Sequence, residues 1–469
     1  MSEELWRHGA GELAELIAAR EVSSREVVDA HLERIEAVNA HLNAVVLVLA
    51  DEARAAADAA DAATERSGPL HGVPFTVKEN IDVAGTPTTS GIAALAEAVS
   101  PVDAPQVERL RRAGAIPIAR TNLPDLGLRI HTHSSLRGLT RNPWDPEVTA
   151  GGSSGGEASA LASGMSPLGL GNDVGGSLRN PAHCCGIASI KPTPGRVPHA
   201  TVIPPEDMGP AMQLMAVEGV MARRVADVRL GLSIVAGMHP RDPESVPVPL
   251  DVPRSESRRV ALLADPPGGD THPEIAAAVR RAGDALTDAG YDVVEAEPPA
   301  YEQALDVWGC FLFNDIRAQE DLLRAVMGPD AILFLDHIGS LYAPLDSPAL
   351  VATLAERRSI GRAWNAFLEE HPLILSPIWT QPPFAHGWDV ESEATAHATM
   401  RLMRPVMPAN LLGLPAAAVN AGKAAGLPAG VQVMGARFQE LACLEAAEAI
   451  ESALGAANAI DPILELSVR

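Results

Sequence analysis

Apolar positions recur three and four residues apart through residues 11–20 and 23–38, a spacing that predicts two opening helices, the second capped at Ser23 or Ser24. A third helix is predicted over residues 51–65, which are almost all Ala, Asp, Glu and Arg, and it ends at Ser67-Gly68-Pro69. The texture then changes. Residues 72–78, GVPFTVK, are a short β-prone run that delivers Lys78 to the start of a loop. A helical pattern over 103–113 is followed by a strand at 116–119, and helix–strand alternation recurs over 258–298. Late strands are predicted at 373–376, 416–420 and 430–434, with a closing helix over 440–454. The class is mixed α/β. Pro and Gly breaks from Pro247 to Gly268 mark a subdomain boundary near residue 238.

One stretch departs from this texture. Residues 149–193 hold two glycine-flanked serine clusters, Gly151-Gly152-Ser153-Ser154-Gly155-Gly156 and Asp173-Val174-Gly175-Gly176-Ser177, and no aromatic residue. Gly/Ser runs are commonly linkers, but apolar, Ala-rich sequence over 157–170 reads as a helix and then a short strand, where a linker would stay polar. Nucleotide loops do not fit either: Gly169, Gly171 and Gly175 give GxGxxxG, and no GK[ST] follows. Glycines gathered this way allow tight turns and close backbone approach to a bound group, and serine among them points to nucleophilic chemistry.

Composition narrows the setting. With 47% apolar and 20% charged residues among 469, the chain is an ordinary globular protein, large enough for one big α/β domain. A net charge of −24 argues against nucleic-acid binding through a basic face. Four cysteines, two of them adjacent at Cys184 and Cys185, form no disulfide framework, and neither a signal peptide nor a membrane-length apolar run is evident, so a cytoplasmic protein without membrane attachment is expected.

Charge type is informative. The chain has only three lysines, Lys78, Lys191 and Lys423, against 33 arginines. Where positive charge is so strongly Arg, a lysine at the end of an apolar strand suggests a need for a group that can lose its proton, which burial would permit. Its neighbours in sequence are Glu79 and Asp82.

Lys78, GGSSGG around Ser153, and GNDVGGSLRNPA around Ser177, with KPT at 191–193, resemble the amidase signature family of serine hydrolases. Lys78 lies 75 residues before Ser153 and Ser153 lies 24 before Ser177, and the similarity extends to residues 72–74, 121–122, 142–145, 221–223 and 413–416. The resemblance implies a single domain over 1–469 built on a large mixed sheet covered by helices on both faces, with the signature core at about 70–230 and a variable, pocket-forming region at about 238–410. It implies that Ser177 is the nucleophile, Ser153 a bridging serine preceded by a cis peptide bond after Gly152, and Lys78 the base. The backbone N–H groups of Val174, Gly175, Gly176 and Ser177 would form the oxyanion hole, supported by Ser154, Asp173 and Arg179. No cofactor or metal is implied. Asp125, Asn172 and the Gly219-Val220-Met221 run depart from the family's usual residues without removing a catalytic group.

The expected substrate is a small-molecule carboxamide, small or aryl, with esters and carbamates (urethanes) open to the same attack. Trp308, Cys310, Phe311 and Asn314 belong to the densest aromatic cluster and are candidate pocket wall; packing against the core is the competing reading. Three other readings compete. The first is the amidase subunit of a glutamine-dependent tRNA amidotransferase. The second is a metal-dependent amidohydrolase using His131 and His133, short of recognisable further ligands. The third is a Ser-His-Asp elbow at residues 151–155, which lacks the strand such an elbow requires. A homodimer is compatible with all of these.

Overall fold

The apolar runs form strands whose alternate side chains leave the sheet on opposite faces. Val260, Leu375, Ala417, Val419, Val431 and Val433 enter one core, while their neighbours Ala261, Ile374, Ala416, Ala418 and Met434 enter the other. The computed structural model describes residues 4–204, 207–253 and 255–463. Among these, eleven strands make one mixed sheet. Its first six strands from one edge are Val45–Val48, Ile116–Thr121, Pro74–Lys78, Leu168–Asp173, Val217–Ala222 and Ala188–Lys191. Ala416–Ala424, Leu427–Gly435, Leu373–Pro377, Arg259–Leu262 and Asp292–Glu295 complete it, so strands from both sides of residue 238 share one sheet.

Helices cover both faces. Ala10–Ala19, Pro105–Arg112, Val225–Val235, Pro273–Asp288 and Glu440–Leu454 pack on one; Gly155–Ala162, Arg179–Cys185, Tyr301–Ala318 and the C-terminal part of Ser347–Glu370 pack on the other. The second opening helix, Ser24–Leu42, is capped by Ser23, whose hydroxyl accepts from the Glu26 N–H while Glu26 accepts from the Ser23 N–H. It packs with Ala50–Ala62 against Ile116 and Ile118 at the sheet edge. Among the described residues, no helix is long and apolar enough to cross a membrane.

The strand order positions the chemistry. Pro74–Lys78 and Leu168–Asp173 are parallel neighbours, with Thr76 opposite Gly169 and Val77 opposite Leu170. Both therefore end at the same side of the sheet, one on Lys78 and the other on Asp173, and ligands of open α/β sheets bind at such carboxyl ends.

Candidate active site

Lys78, the last residue of its strand, is wholly buried. Its Nζ donates to Ser153 Oγ at 2.8 Å and to Asn172 Oδ1 at 2.6 Å. Burial brings its ammonium down from 10.5 to about 7, against the opposing pull of Glu218, Asp173 and Glu157. These three acids come from distant parts of the chain. Of the two acids adjacent in sequence, Glu79 is taken by Arg137 through two hydrogen bonds, at 2.6 and 3.2 Å, and Asp82 accepts from Thr201 and Val202.

Ser153 and Ser154 precede the helix Gly155–Ala162, and the Gly152–Ser153 peptide bond is cis. No other residue fits at 152: a Cβ there would lie 2.5 Å from the backbone carbon of Ile130 and 2.8 Å from Arg129 O. Under this helix Glu157 accepts from Thr121 Oγ1 at 2.7 Å and from Thr76 Oγ1, and burial raises its carboxyl to about 7 despite those bonds and the Lys78 charge. The Ser154 hydroxyl lies against Asn172 O at 3.5 Å.

The turn from Asp173 to Ser177 is held from within. Asp173 accepts from the N–H of Gly176 at 2.7 Å and of Leu178 at 3.1 Å, from Arg179 Nε and Nη2 at 3.1 Å each, and from Asn410 Nδ2 at 2.9 Å. Arg179 also donates to Val406 O, Gln432 Oε1 and Asn410 Oδ1. Both partners are buried, so this is no solvated pair. Burial pushes the Asp173 carboxyl up, but Arg179, Lys191 and Asn410 prevail and hold it at about 2. The bond to Asp173 engages the Gly176 N–H within the turn. Among the described residues, nothing accepts from the N–H of Val174, Gly175 or Ser177.

Ser153, Asn172, Val174 and Ser177 open onto one cavity of about 310 Å³, with Leu126, Ile203, Met212 and Leu312 in its wall. A smaller adjoining space of about 50 Å³ also reaches Ser177 and is bounded by Trp308. Of the four aromatic-cluster residues expected in the pocket, Trp308 lies at the turn: its Nε1 donates to Val174 O at 3.0 Å, and its ring would meet a Cβ at Gly175 at 2.6 Å. Cys310, Phe311 and Asn314 do not line either space. Helical rotation is the reason. Trp308, Leu312 and Ile316 succeed one another every four residues on one face of Tyr301–Ala318, whereas Phe311, 1% exposed, turns into the core.

Sequence reasoning missed the residues around Lys78. Asn172, read as a departure from the family pattern, is the second partner of Nζ and donates to Asn80 Oδ1 at 3.1 Å. Glu218 and His199 also line the larger cavity, joined by a 2.7 Å hydrogen bond between Glu218 Oε1 and His199 Nδ1. Asn172 offered one signal, its place immediately before the turn from Asp173 to Ser177; the other two offered none. His131, the start of the metal reading, contacts Thr149 Oγ1 at 2.9 Å, and its ring lies 5.3 Å from that of His386, tilted by 38°. Among the described residues, no three His, Cys, Asp or Glu side chains converge as a metal-ligand group.

Comparisons with known proteins bear on the family and the fold. The family model Amidase matches residues 26–444. An indoleacetamide hydrolase of Bradyrhizobium diazoefficiens is 40% identical over 457 residues, covering 96% of this chain and 87% of that protein. A 6-aminohexanoate-cyclic-dimer hydrolase of Paenarthrobacter ureafaciens is 32% identical over 485 residues, covering 96% of this chain and 95% of that protein. The structure of a 6-aminohexanoate cyclic dimer hydrolase complexed with substrate superimposes with a TM-score of 0.83 at 30% identity, over 98% of this chain and 100% of that one.

Proposed function

The chain belongs to the amidase family, and from that premise we propose that it hydrolyses small, largely apolar carboxamides, aryl amides among them, through an acyl-enzyme on Ser177. The observation that carries this reading is the buried 2.8 Å contact between Lys78 Nζ and Ser153 Oγ, opening onto the same cavity as Ser177. Neutral Lys78 takes the proton of Ser153, Ser153 takes that of Ser177, and Ser177 Oγ attacks the carbonyl. The N–H groups of Val174, Gly175 and Ser177 receive the developing oxyanion, each donor worth roughly 2.7 to 4 kcal/mol in such sites. The relay reversed protonates the leaving amine as the C–N bond breaks; water then cleaves the Ser177 ester and releases the acid. Esters and carbamates present the same carbonyl, and the alkoxycarbonyl serine of a carbamate would yield carbon dioxide and an alcohol.

The cavity wall supports neutral substrates. The larger cavity is bordered by Asp207, Asp315 and Glu218, with no lysine or arginine among its described residues. Arg129, beside the smaller space, donates to Asp389 from Nε and Nη2 at 2.9 and 3.0 Å, with Nη1 3.7 Å from Asp330. An acidic wall of this kind suits a neutral amide better than the carboxylate of a free amino acid such as glutamine, which favours a self-standing amidase over a component of an amidotransferase.

The test is intact-mass analysis after treatment with a serine-directed fluorophosphonate, followed by peptide mapping, alongside turnover of indole-3-acetamide, an anilide and an aryl carbamate. A single adduct on Ser177 with amide turnover is expected. Amide turnover with Ser177 unlabelled, or retained by Ser177→Ala, would overturn the acyl-enzyme.

A further inference from the structure

Beyond the Lys78–Ser153–Ser177 relay, the cavity wall contains a second buried polar assembly that the reaction as described does not use. Asn172 lies directly opposite Glu218 on adjacent antiparallel strands. Directly opposed residues share a face of the sheet with Cβ atoms about 4.5 to 5.5 Å apart. The Leu168–Asp173 strand thus stands between Lys78 on one side and Glu218 on the other, and the Asn172 amide oxygen touches Lys78 Nζ at 2.6 Å.

Glu218 is 2% exposed; its Oε1 is held by His199 Nδ1 at 2.7 Å, and among the described residues its Oε2 has no hydrogen-bond partner. His199 is itself anchored, its backbone N–H donating to Asp242 Oδ2 at 2.8 Å, while two residues on the Thr201 hydroxyl donates to Asp82 Oδ2 at 3.0 Å. A carboxylate this buried, with one oxygen unsatisfied, costs free energy unless a charge nearby answers it. Two cations stand in reach: the imidazolium of His199 and the ammonium of Lys78.

We propose that Glu218 and His199 form a charge-compensated pair that sets the proton affinity of Lys78, and so fixes the pH range in which the enzyme works. The proposal rests on Lys78 acting as the base. Glu218 favours the ammonium and opposes catalysis; His199, when protonated, cancels that pull and lets Lys78 reach its neutral form. Both are positioning residues, acting through Lys78. The other charged groups around the two sites are Asp173, itself paired with Arg179, and Glu157 beside Lys78, and Asp82 and Asp242 beside His199. In agreement, the Glu218 contact raises the His199 imidazole above its ordinary value in spite of burial.

The two partners carry opposite charges, so their removal has opposite consequences. Glu218→Gln takes a negative charge from beside Lys78, and the acidic limb of kcat/KM moves to lower pH. His199→Gln leaves Glu218 uncompensated, and the limb moves to higher pH. The profile is measured from about pH 5 to pH 10 on a neutral amide. On the limb, about threefold more activity relative to each enzyme's own plateau is expected for Glu218→Gln, and about threefold less for His199→Gln, the consequence of a half-unit change in an essential base. A merely structural role would lower the plateau without moving the limbs apart.

Limbs that coincide with the unsubstituted enzyme's, or that move in the same direction, overturn the proposal. If Glu218→Gln does not fold, His199→Gln alone decides, because its limb must rise. Fluorophosphonate labelling of Ser177 in each variant separates the two readings: labelled protein with unmoved limbs refutes the pair, whereas amide turnover without Ser177 labelling refutes the acyl-enzyme on which it rests.

Discussion

Replacing Lys78 by methionine should make the protein more stable and nearly inactive. The side chain is wholly buried, and burial brings its ammonium from 10.5 to about 7. An unfolded lysine keeps its proton to the ordinary value, so between about pH 7 and 10.5 the unfolded chain binds one proton more than the folded one. Stability therefore rises with pH across that window: the penalty is full below about 7 and gone above 10.5. At about 1.4 kcal/mol per pH unit this amounts to about 5 kcal/mol. Methionine, of similar length and uncharged, removes the penalty but forfeits the bonds to Ser153 and Asn172, worth about 1 kcal/mol each. A net gain on the order of 3 kcal/mol remains below neutrality. Urea unfolding of both proteins at about pH 6.5, and again near pH 10, measures it; the variant should be the more stable by about 3 kcal/mol at the first and the less stable by about 1 kcal/mol at the second. Amide turnover should fall about 10²- to 10⁴-fold, the worth of a positioned general base. A variant that is less stable at both pH values, or a gap that stays constant, would refute the buried neutral lysine. Retained turnover would refute the relay.

Two further substitutions probe the turn at the nucleophile. Asp173→Asn keeps the shape but leaves the Arg179 guanidinium buried without its counter-charge, a loss of about 3 to 5 kcal/mol that thermal unfolding at neutral pH would read. In the unsubstituted protein, that carboxylate's contribution is complete above its ordinary value near 3.8 and disappears as pH falls through about 2, so acid titration should show the variant's deficit shrinking over that window. Gly175→Ala places a Cβ 2.6 Å from the Trp308 ring and 3.5 Å from Met403 Cε. The ring or the turn must shift; stability should fall by about 1 to 3 kcal/mol and kcat by roughly 10²-fold as the oxyanion donors are displaced. An active, stable Gly175→Ala enzyme would place the donors elsewhere.

Much of this molecule was legible in its residues because the determining interactions are local. Strands announce themselves where apolar runs meet glycine and proline, and helices where apolar positions recur every three to four residues. The serines at 153 and 177 stand out because their turns need glycines that no other residue can replace, and those glycines are adjacent in sequence. A lysine ending an apolar strand in a chain of arginines was a further local signal. What the tertiary structure decided are the relations through space. Glu79 and Asp82 adjoin Lys78 along the chain, yet the charges that act on it are Glu218, Asp173 and Glu157, brought together by the order of strands in the sheet and the helix Gly155–Ala162 packed on it. Leu312 meets the cavity and Phe311 the core because packing, not periodicity, chooses which face of their helix looks inward. The pairing of Asp173 with Arg179 could be read as solvated or buried until Asn410 and Gln432, more than 200 residues later, closed over it. Sequence proximity carries backbone conformation; Coulomb's law and desolvation depend on distance and burial, which only the folded chain defines.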